Sequence, residues 1–295
     1  MFYSAPVPRE YDVELPTHQV RVLEWGSSTA PLVVALHGFP DTAWTWRRVA
    51  PRLADAGLRV AAPFMRGYAP SGIPRDGDYT VRALMTDAVA LHRLLSGDER
   101  TALLGHDWGA IAAAGLAGAP ASPYRAVACL AAPPVPLMNP TRDTWRPWLR
   151  AMTRQPFRSW YIGYNQVPGL AERSFDRLAA RLWRSWSPGY VATEDLAFLR
   201  AAVPDSAHAR AVVSYYRALW RRGTRAAWAE PRLPLLYLHG DRDGALDRRF
   251  FDVVAPRLSG ESRARLVTDT GHFLHLERPG DVAEAVIAFL QPAPD

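Results

Sequence analysis

The sequence contains no lysine: all 35 basic residues are arginine, set against 29 acidic residues for a formal net charge of +6. The arginines are spread along the chain, in short pairs such as Arg47-Arg48, Arg221-Arg222 and Arg248-Arg249. They build no long basic block or aromatic-basic module, so no nucleic-acid partner is expected. Cysteine is nearly absent as well. The single Cys129 can form no intrachain bridge, which sets aside a disulfide-stapled scaffold. Its apolar surroundings, Ala126-Val127-Ala128 and Leu130, predict a buried, unreactive thiol. No window approaches the ~18 uninterrupted apolar residues of a spanning helix. Met1 to Pro8 show no basic start followed by an apolar stretch, so no signal peptide is expected and the protein reads as cytoplasmic. Neither an H-E-x-x-H ligand spacing nor a glycine-rich cofactor loop occurs, and no metal or cofactor is expected.

What is present is an ordinary globular composition, 48% hydrophobic and 22% charged over 295 residues, enough for one large α/β domain with an insertion. Tyr11 to Leu15 and Gln19 to Trp25 alternate like half-buried strands, whereas Leu32 to Leu36 is continuously apolar, as a strand covered on both faces must be. Leu58 to Ala62, Leu103-Leu104 up to Gly105, and Val127 to Ala131 repeat that signal. Helical spacing separates them, as in Trp46 to Ala56, Val81 to Leu95 and Trp108 to Leu116. Strands and helices alternating in this way predict an α/β fold, a mostly parallel sheet with helices on both faces. The alternation then stops. From Val135 to Glu230 the chain is rich in tryptophan and arginine with amphipathic helical spacing, for example Arg177 to Trp186 and Asp195 to Ala202. About ninety residues without a strand candidate are too many for a loop, so 135–230 is expected to be a helical lid on a core formed by 1–134 and 231–295. Strands resume at Leu233 to Leu238 and Ala264 to Val267, and a helix from Val282 to Leu290 closes the chain.

In open parallel sheets, functional groups collect where the strands end at their carboxyl side. Gly105-His106-Asp107-Trp108-Gly109-Ala110 follows one apolar strand and has the form of a nucleophile elbow with aspartate at its centre. Alone, Asp107 reads equally well as a helix N-cap. The next-to-last strand, however, ends in His239-Gly240-Asp241-Arg242-Asp243 and the last in Gly271-His272-Phe273. Nucleophile, acid and histidine thus follow one another in the order of an α/β-hydrolase triad. Gly-x-x-Asp spacing favours Asp243 as the acid, with Asp241 as a cap or brace. An oxyanion hole would come from the backbone amides of Trp108 and Phe39, the latter held by His37-Gly38. An aspartate carboxylate is ionised at neutral pH and attacks saturated carbon by displacement, which suits an epoxide or an alkyl halide better than an ester or peptide.

His37-Gly38-Phe39-Pro40 with Trp44-x-Trp46-Arg47, Arg66-Gly67-Tyr68, the Gly105 to Gly109 elbow, and Tyr161-Ile162-Gly163-Tyr164-Asn165-Gln166-Val167-Pro168-Gly169 together resemble the α/β-hydrolase epoxide hydrolases. The resemblance runs along nearly the whole chain. It implies the α/β-hydrolase fold with a lid, and hydrolysis of an epoxide to a vicinal diol through an ester on Asp107, with Asp243 and His272 completing the triad. It also implies two lid tyrosines on the epoxide oxygen, matching Tyr161 and, in Tyr215-Tyr216-Arg217, Tyr216; Tyr164 and Tyr215 would then pack the lid. One departure is Phe64-Met65-Arg66-Gly67-Tyr68-Ala69, where the family often has Asp-x-Arg-Gly-Tyr-Gly. His37, Pro40, Trp108 and Trp160 are the expected substrate contacts. The aromatic lid, with Trp145, Trp148, Trp160, Trp183, Trp186 and Trp220, suggests an apolar epoxide, with water as the second substrate; the same rings would serve equally as the lid's own core. A lid-to-lid homodimer is a further expectation. Haloalkane dehalogenases share the Asp elbow and the tryptophan after it, with Trp108 and Trp160 as candidate halide donors, but Phe39 stands where many carry a halide-binding Asn. The remaining alternative is a non-catalytic hydrolase-like binding protein, against which the complete Asp-Asp-His set speaks.

Overall fold

The computed structural model describes residues 7–291; residues 1–6, on which the signal-peptide expectation partly rests, and 292–295 lie outside them. Eight strands form one sheet in the order β1-β2-β4-β3-β5-β6-β7-β8: β1 (Arg9–Glu14), β2 (Gln19–Trp25), β3 (Leu32–Leu36), β4 (Arg59–Pro63), β5 (Ala102–His106), β6 (Ala126–Leu130), β7 (Leu235–Gly240) and β8 (Arg263–Val267). β1 pairs antiparallel with β2 and β2 antiparallel with β4, while β4 through β8 are parallel. Burial explains the sequence patterns. Strands β3 to β7 are buried at every residue, whereas β1 and β8, at the two edges, alternate between exposed and half-buried positions. Cys129 sits fully buried in β6, and its burial pushes the thiol pKa up, which makes it an inert core residue.

Helices α1 (Ala50–Asp55), α2 (Val81–Leu94) and α3 (Trp108–Gly118) connect the first parallel strands. Between β6 and β7 come α4 (Trp145–Met152), α5 (Gln155–Arg158), α6 (Trp160–Asn165), α7 (Leu170–Arg173), α8 (Phe175–Trp186), α9 (Thr193–Ala202) and α10 (Ser206–Arg217). Short 3-10 turns at Val135–Met138 and Arg222–Trp228 flank this helical block. After β7 follow α11 (Arg249–Val254), α12 (Leu274–Glu277) and α13 (Pro279–Leu290). β3 is the switch point of the sheet, since the chain moves from it to β4 on one side and later returns to β5 on the other. The loops leaving β3 and β5 therefore part there and open a crevice at the carboxyl edge of the sheet, the place where open α/β sheets bind ligands.

Candidate active site

The turn from β5 into α3 is as tight as the glycine pattern predicts. A Cβ on Gly105 would lie 2.4 Å from the Gly109 carbonyl oxygen, and one on Gly109 would lie 2.4 Å from that of Leu36. Asp107 itself adopts φ +50° and ψ −114°, a left-handed conformation that costs a non-glycine residue ~1–3 kcal/mol. Its side chain makes no capping bond to α3, which settles the N-cap alternative against it. Instead Oδ1 accepts a hydrogen bond from the Phe39 amide at 2.8 Å. Trp108 opens α3, so its amide belongs to the first turn and has no intrahelical acceptor.

The Phe39 loop is braced by His37, whose ring is fully buried. Its Nε2 accepts from the Met65 amide at 3.0 Å and its Nδ1 donates to the Gly38 carbonyl at 2.9 Å. Burial lowers the imidazole pKa to about 4, which keeps it in the neutral form that this pairing requires. Both ring nitrogens are thus committed to backbone, and the expectation of His37 as a substrate contact gives way to a bracing role. The Pro40 carbonyl likewise accepts the Trp183 indole N–H from α8 at 2.8 Å, tying the loop to the helical block. The departure at Phe64 to Ala69 leaves the loop well held: Arg66 forms a bidentate pair with Asp87 on α2, both bonds 2.7 Å.

His272 Nδ1 lies 3.0 Å from Asp243 Oδ2, and its Nε2 faces Asp107 Oδ2 at 3.6 Å, an ion-pair distance. The other oxygen of Asp243 accepts from the amides of Ala245 and Leu246 at 2.7 and 3.0 Å. Burial alone would discharge the imidazole, but the charge of Asp243 and then the contact with Asp107 outweigh it and raise the His272 pKa to about 10. Burial would likewise raise Asp243, yet His272 keeps its carboxyl below the usual range. Asp241 stands aside as a brace, accepting from the Thr270 amide at 3.2 Å.

Across the crevice, Tyr161 from α6 and Tyr216 from α10 meet edge to face, ring centroids 5.4 Å apart, and Tyr216 packs the same way on Phe39 at 4.8 Å and Trp108 at 5.2 Å. Tyr161 also packs edge to face on Trp186 at 4.9 Å. Burial, then neighbouring charges including that of Asp107, push both phenol pKa values up, so each hydroxyl holds its proton and remains a donor. The neighbouring tyrosines are otherwise engaged. Tyr215 donates to the Arg66 carbonyl at 2.9 Å and Tyr164 bonds Ser174 at 2.6 Å. Trp160 does not join the site; it packs edge to face on Tyr164 and under the Arg181 guanidinium.

The sequence reading missed the end of α8. The Trp186 carbonyl accepts the amides of both Gly244 and His272 at 3.0 Å, and Ser187 Oγ accepts that of Phe273 at 3.0 Å. One helix terminus in the inserted block therefore pins the loops carrying Asp243 and His272. The glycines beside them were the available signal: a Cβ on Gly244 would fall 1.9 Å from the Ser185 carbonyl oxygen, and one on Gly271 would fall 2.4 Å from Ser187 Cα. Trp183 and Trp186 are core of this contact, whereas Trp145 and Trp220, read from the sequence as pocket lining or lid core, are 49% and 82% exposed. Beneath His272, Asp41, His106 and His275 each bring one polar side-chain atom within 4.8 Å of the others, and Asp41 Oδ2, His106 Nδ1 and His275 Nδ1 are buried without a hydrogen-bond partner. Burial raises the Asp41 carboxyl to about 8.

A fold of this topology with an aspartate on its nucleophile elbow defines an α/β-hydrolase, and residues 31–279 match the family described as alpha/beta hydrolase fold. The chain belongs to that family and, within it, to the epoxide hydrolases. It is 31% identical to epoxide hydrolase A of Mycobacterium tuberculosis over 96% of this chain and 97% of that one. It is 28% identical to an epoxide hydrolase of Caballeronia sordidicola, covering 96% and 94%. The crystal structure of epoxide hydrolase A from Mycobacterium thermoresistibile superposes with a TM-score of 0.76 at 30% identity, over 97% and 98% of the two chains.

Proposed function

We propose that this protein hydrolyses an epoxide to a vicinal diol through a covalent ester on Asp107, under a lid formed by residues 135–230. The observation that carries the reading is the packing of Tyr161 on Tyr216, and of Tyr216 on Phe39 and Trp108, the residues on either side of an Asp107 carboxylate whose Oδ1 is already held by the Phe39 amide. Asp107 Oδ2 attacks a ring carbon, the carbon–oxygen bond breaks, and its electron pair passes to the ring oxygen, which takes a proton from a tyrosine. Oδ1 stays in the Phe39 and Trp108 amides as the ester carbonyl.

Esterification also prepares the second step. It removes the negative charge facing His272 Nε2 at 3.6 Å, one of the supports of the raised imidazole pKa, so the imidazolium gives up its proton, which returns to the phenolate left by ring opening, and His272 becomes a base. His272 then takes a proton from water as that oxygen attacks the ester carbon, and Asp243 stabilises the imidazolium that forms. Collapse expels the diol oxygen, which takes the proton of the carboxyl so formed, and Asp107 returns as carboxylate. The dehalogenase alternative fares worse: the Trp108 indole packs on Tyr216, position 39 offers no amide side chain, and Trp160 lies elsewhere. The protein is closed to bulk water at this point, with His272 and Tyr216 buried and the Asp107 side chain only 13% exposed, which suits an apolar epoxide.

The test is a parallel assay with aryl epoxides and alkyl bromides, with Asp107→Ala as blank. Diol formation that the blank abolishes is the expected result; bromide release would replace the reading with dehalogenation and reduce the tyrosines to packing.

A further inference from the structure

The segment 142–158 carries an arginine at every fourth position, Arg142, Arg146, Arg150, Arg154 and Arg158, with Asp143 as its one acidic residue. Four of the five are exposed. On α4 the same segment presents Trp145, Leu149 and Met152 to solvent, 49%, 50% and 37% exposed, at the i, i+4, i+7 spacing of one helical face, and α5 adds Phe157 at 81%. The opposite side of α4, with Ala151 buried, packs on α11. Large apolar side chains projecting among arginines form the pattern of a helix that lies in a membrane interface.

A second feature adjoins it. A cleft of about 580 Å³ between α5 and α11 is lined by Arg154, Arg158, Arg242, Arg248 and Arg249. Its four acidic members are turned inward or engaged: the Asp243 and Asp247 carboxylates are buried, Asp247 is shared by Arg158 and Arg249, Asp252 is held by Arg248, and Asp241 accepts from the Thr270 amide, while Arg242 of the lining pairs with Asp269. The guanidinium of Arg154 has no ion pair among the described residues. An isologous contact with a second copy would set this arginine row against itself, so the charge of the patch calls for an anionic partner, and its projecting rings call for an apolar one beneath the charge.

We propose that α4, α5 and the adjoining arginine cleft dock the protein on an anionic lipid bilayer. Trp145, Leu149, Met152 and Phe157 enter the boundary between headgroups and acyl chains, and the arginines pair with lipid phosphates. The full chain is mixed with vesicles of phosphatidylcholine, with or without phosphatidylglycerol, and sedimented. It is expected to partition onto the phosphatidylglycerol vesicles, to be released as salt rises, and to ignore phosphatidylcholine alone. Arg146→Gln with Arg150→Gln lowers the partition coefficient roughly 25-fold, about fivefold per arginine, and Phe157→Ser lowers it roughly tenfold or more. Both variants keep the wild-type melting temperature, because the altered side chains are exposed. Failure of the wild type to bind phosphatidylglycerol vesicles, or binding that neither variant weakens, overturns the proposal. So does a dimer in solution that Phe157→Ser dissociates, which would make the face a contact between copies.

Discussion

Asp107 is held twice, by its own strained backbone and by the Phe39 amide on Oδ1, so the proposed nucleophile is oriented before substrate arrives. A Cβ on Gly38 would come within 2.4 Å of Asp107 Cβ, which is why the loop that supplies the amide begins with glycine. Among the described residues, His272 is the histidine placed to take a proton from water beside the proposed Asp107 ester, since His106 and His239 are buried against backbone and Tyr237. Replacing His272 with Gln is therefore expected to leave alkylation intact and to slow diol release by roughly 10²–10⁴-fold. Intact-protein mass spectrometry with a confirmed substrate should show the protein plus one epoxide; an unmodified mass with no loss of turnover would refute the division of labour. At this scale the sequence was informative about residue type and poor about direction. Tyr215 and Tyr216 are adjacent and chemically identical, and only the turn of α10 sends one hydroxyl to Arg66 and the other to the site.

Among the elements, α8 does the most to assemble the site. It receives the Asp243 and His272 loops on its Trp186 carbonyl, ties down Pro40 through Trp183, and stacks Trp183 on Phe273 with ring centroids 3.5 Å apart. The amphipathic spacing of Arg177 to Trp186 announced the helix, but a carbonyl acceptor leaves no trace in residue type. Gly244→Ala tests the contact, because its methyl would fall 1.9 Å from a backbone oxygen that can yield only if α8 moves. The expected cost is about 1–3 kcal/mol of stability, with a fall in turnover as Asp243 is displaced from His272. Thermal denaturation and steady-state kinetics measure both, and an unchanged melting temperature would mean that α8 is not clamped to that loop.

For the whole molecule, the sheet supplies a dry floor and the inserted helices a second wall, so ionisable groups between them titrate abnormally. Asp41 is the clearest case. Its burial lifts the carboxyl to about 8, so its contribution to stability is complete only below the ordinary aspartate pKa of about 3.9 and is lost as pH rises through the folded value. Asp41→Asn removes the titration while keeping the shape. Wild type is accordingly expected to lose on the order of 1–3 kcal/mol more stability than the variant between about pH 5 and pH 9. Urea denaturation at the two pH values reads this directly, and parallel losses would place the charge outside the folding equilibrium. Among the described residues no helix is long and apolar enough to cross a membrane, in keeping with the absence of a long apolar run.

The order of strand and helix, the interruption by a helical block, and a chain order of elbow aspartate, second aspartate and histidine were all determined by the sequence alone. Each rests on local signals: continuous or alternating apolar runs, helical spacing, and glycines where backbones approach. Which aspartate faces the histidine, which tyrosine of a pair reaches the nucleophile, and which tryptophans are core, site or surface were decided only by the tertiary structure. Those choices depend on the direction a side chain takes once helices pack, and on backbone groups such as the Trp186 carbonyl, which every residue possesses and no sequence position advertises.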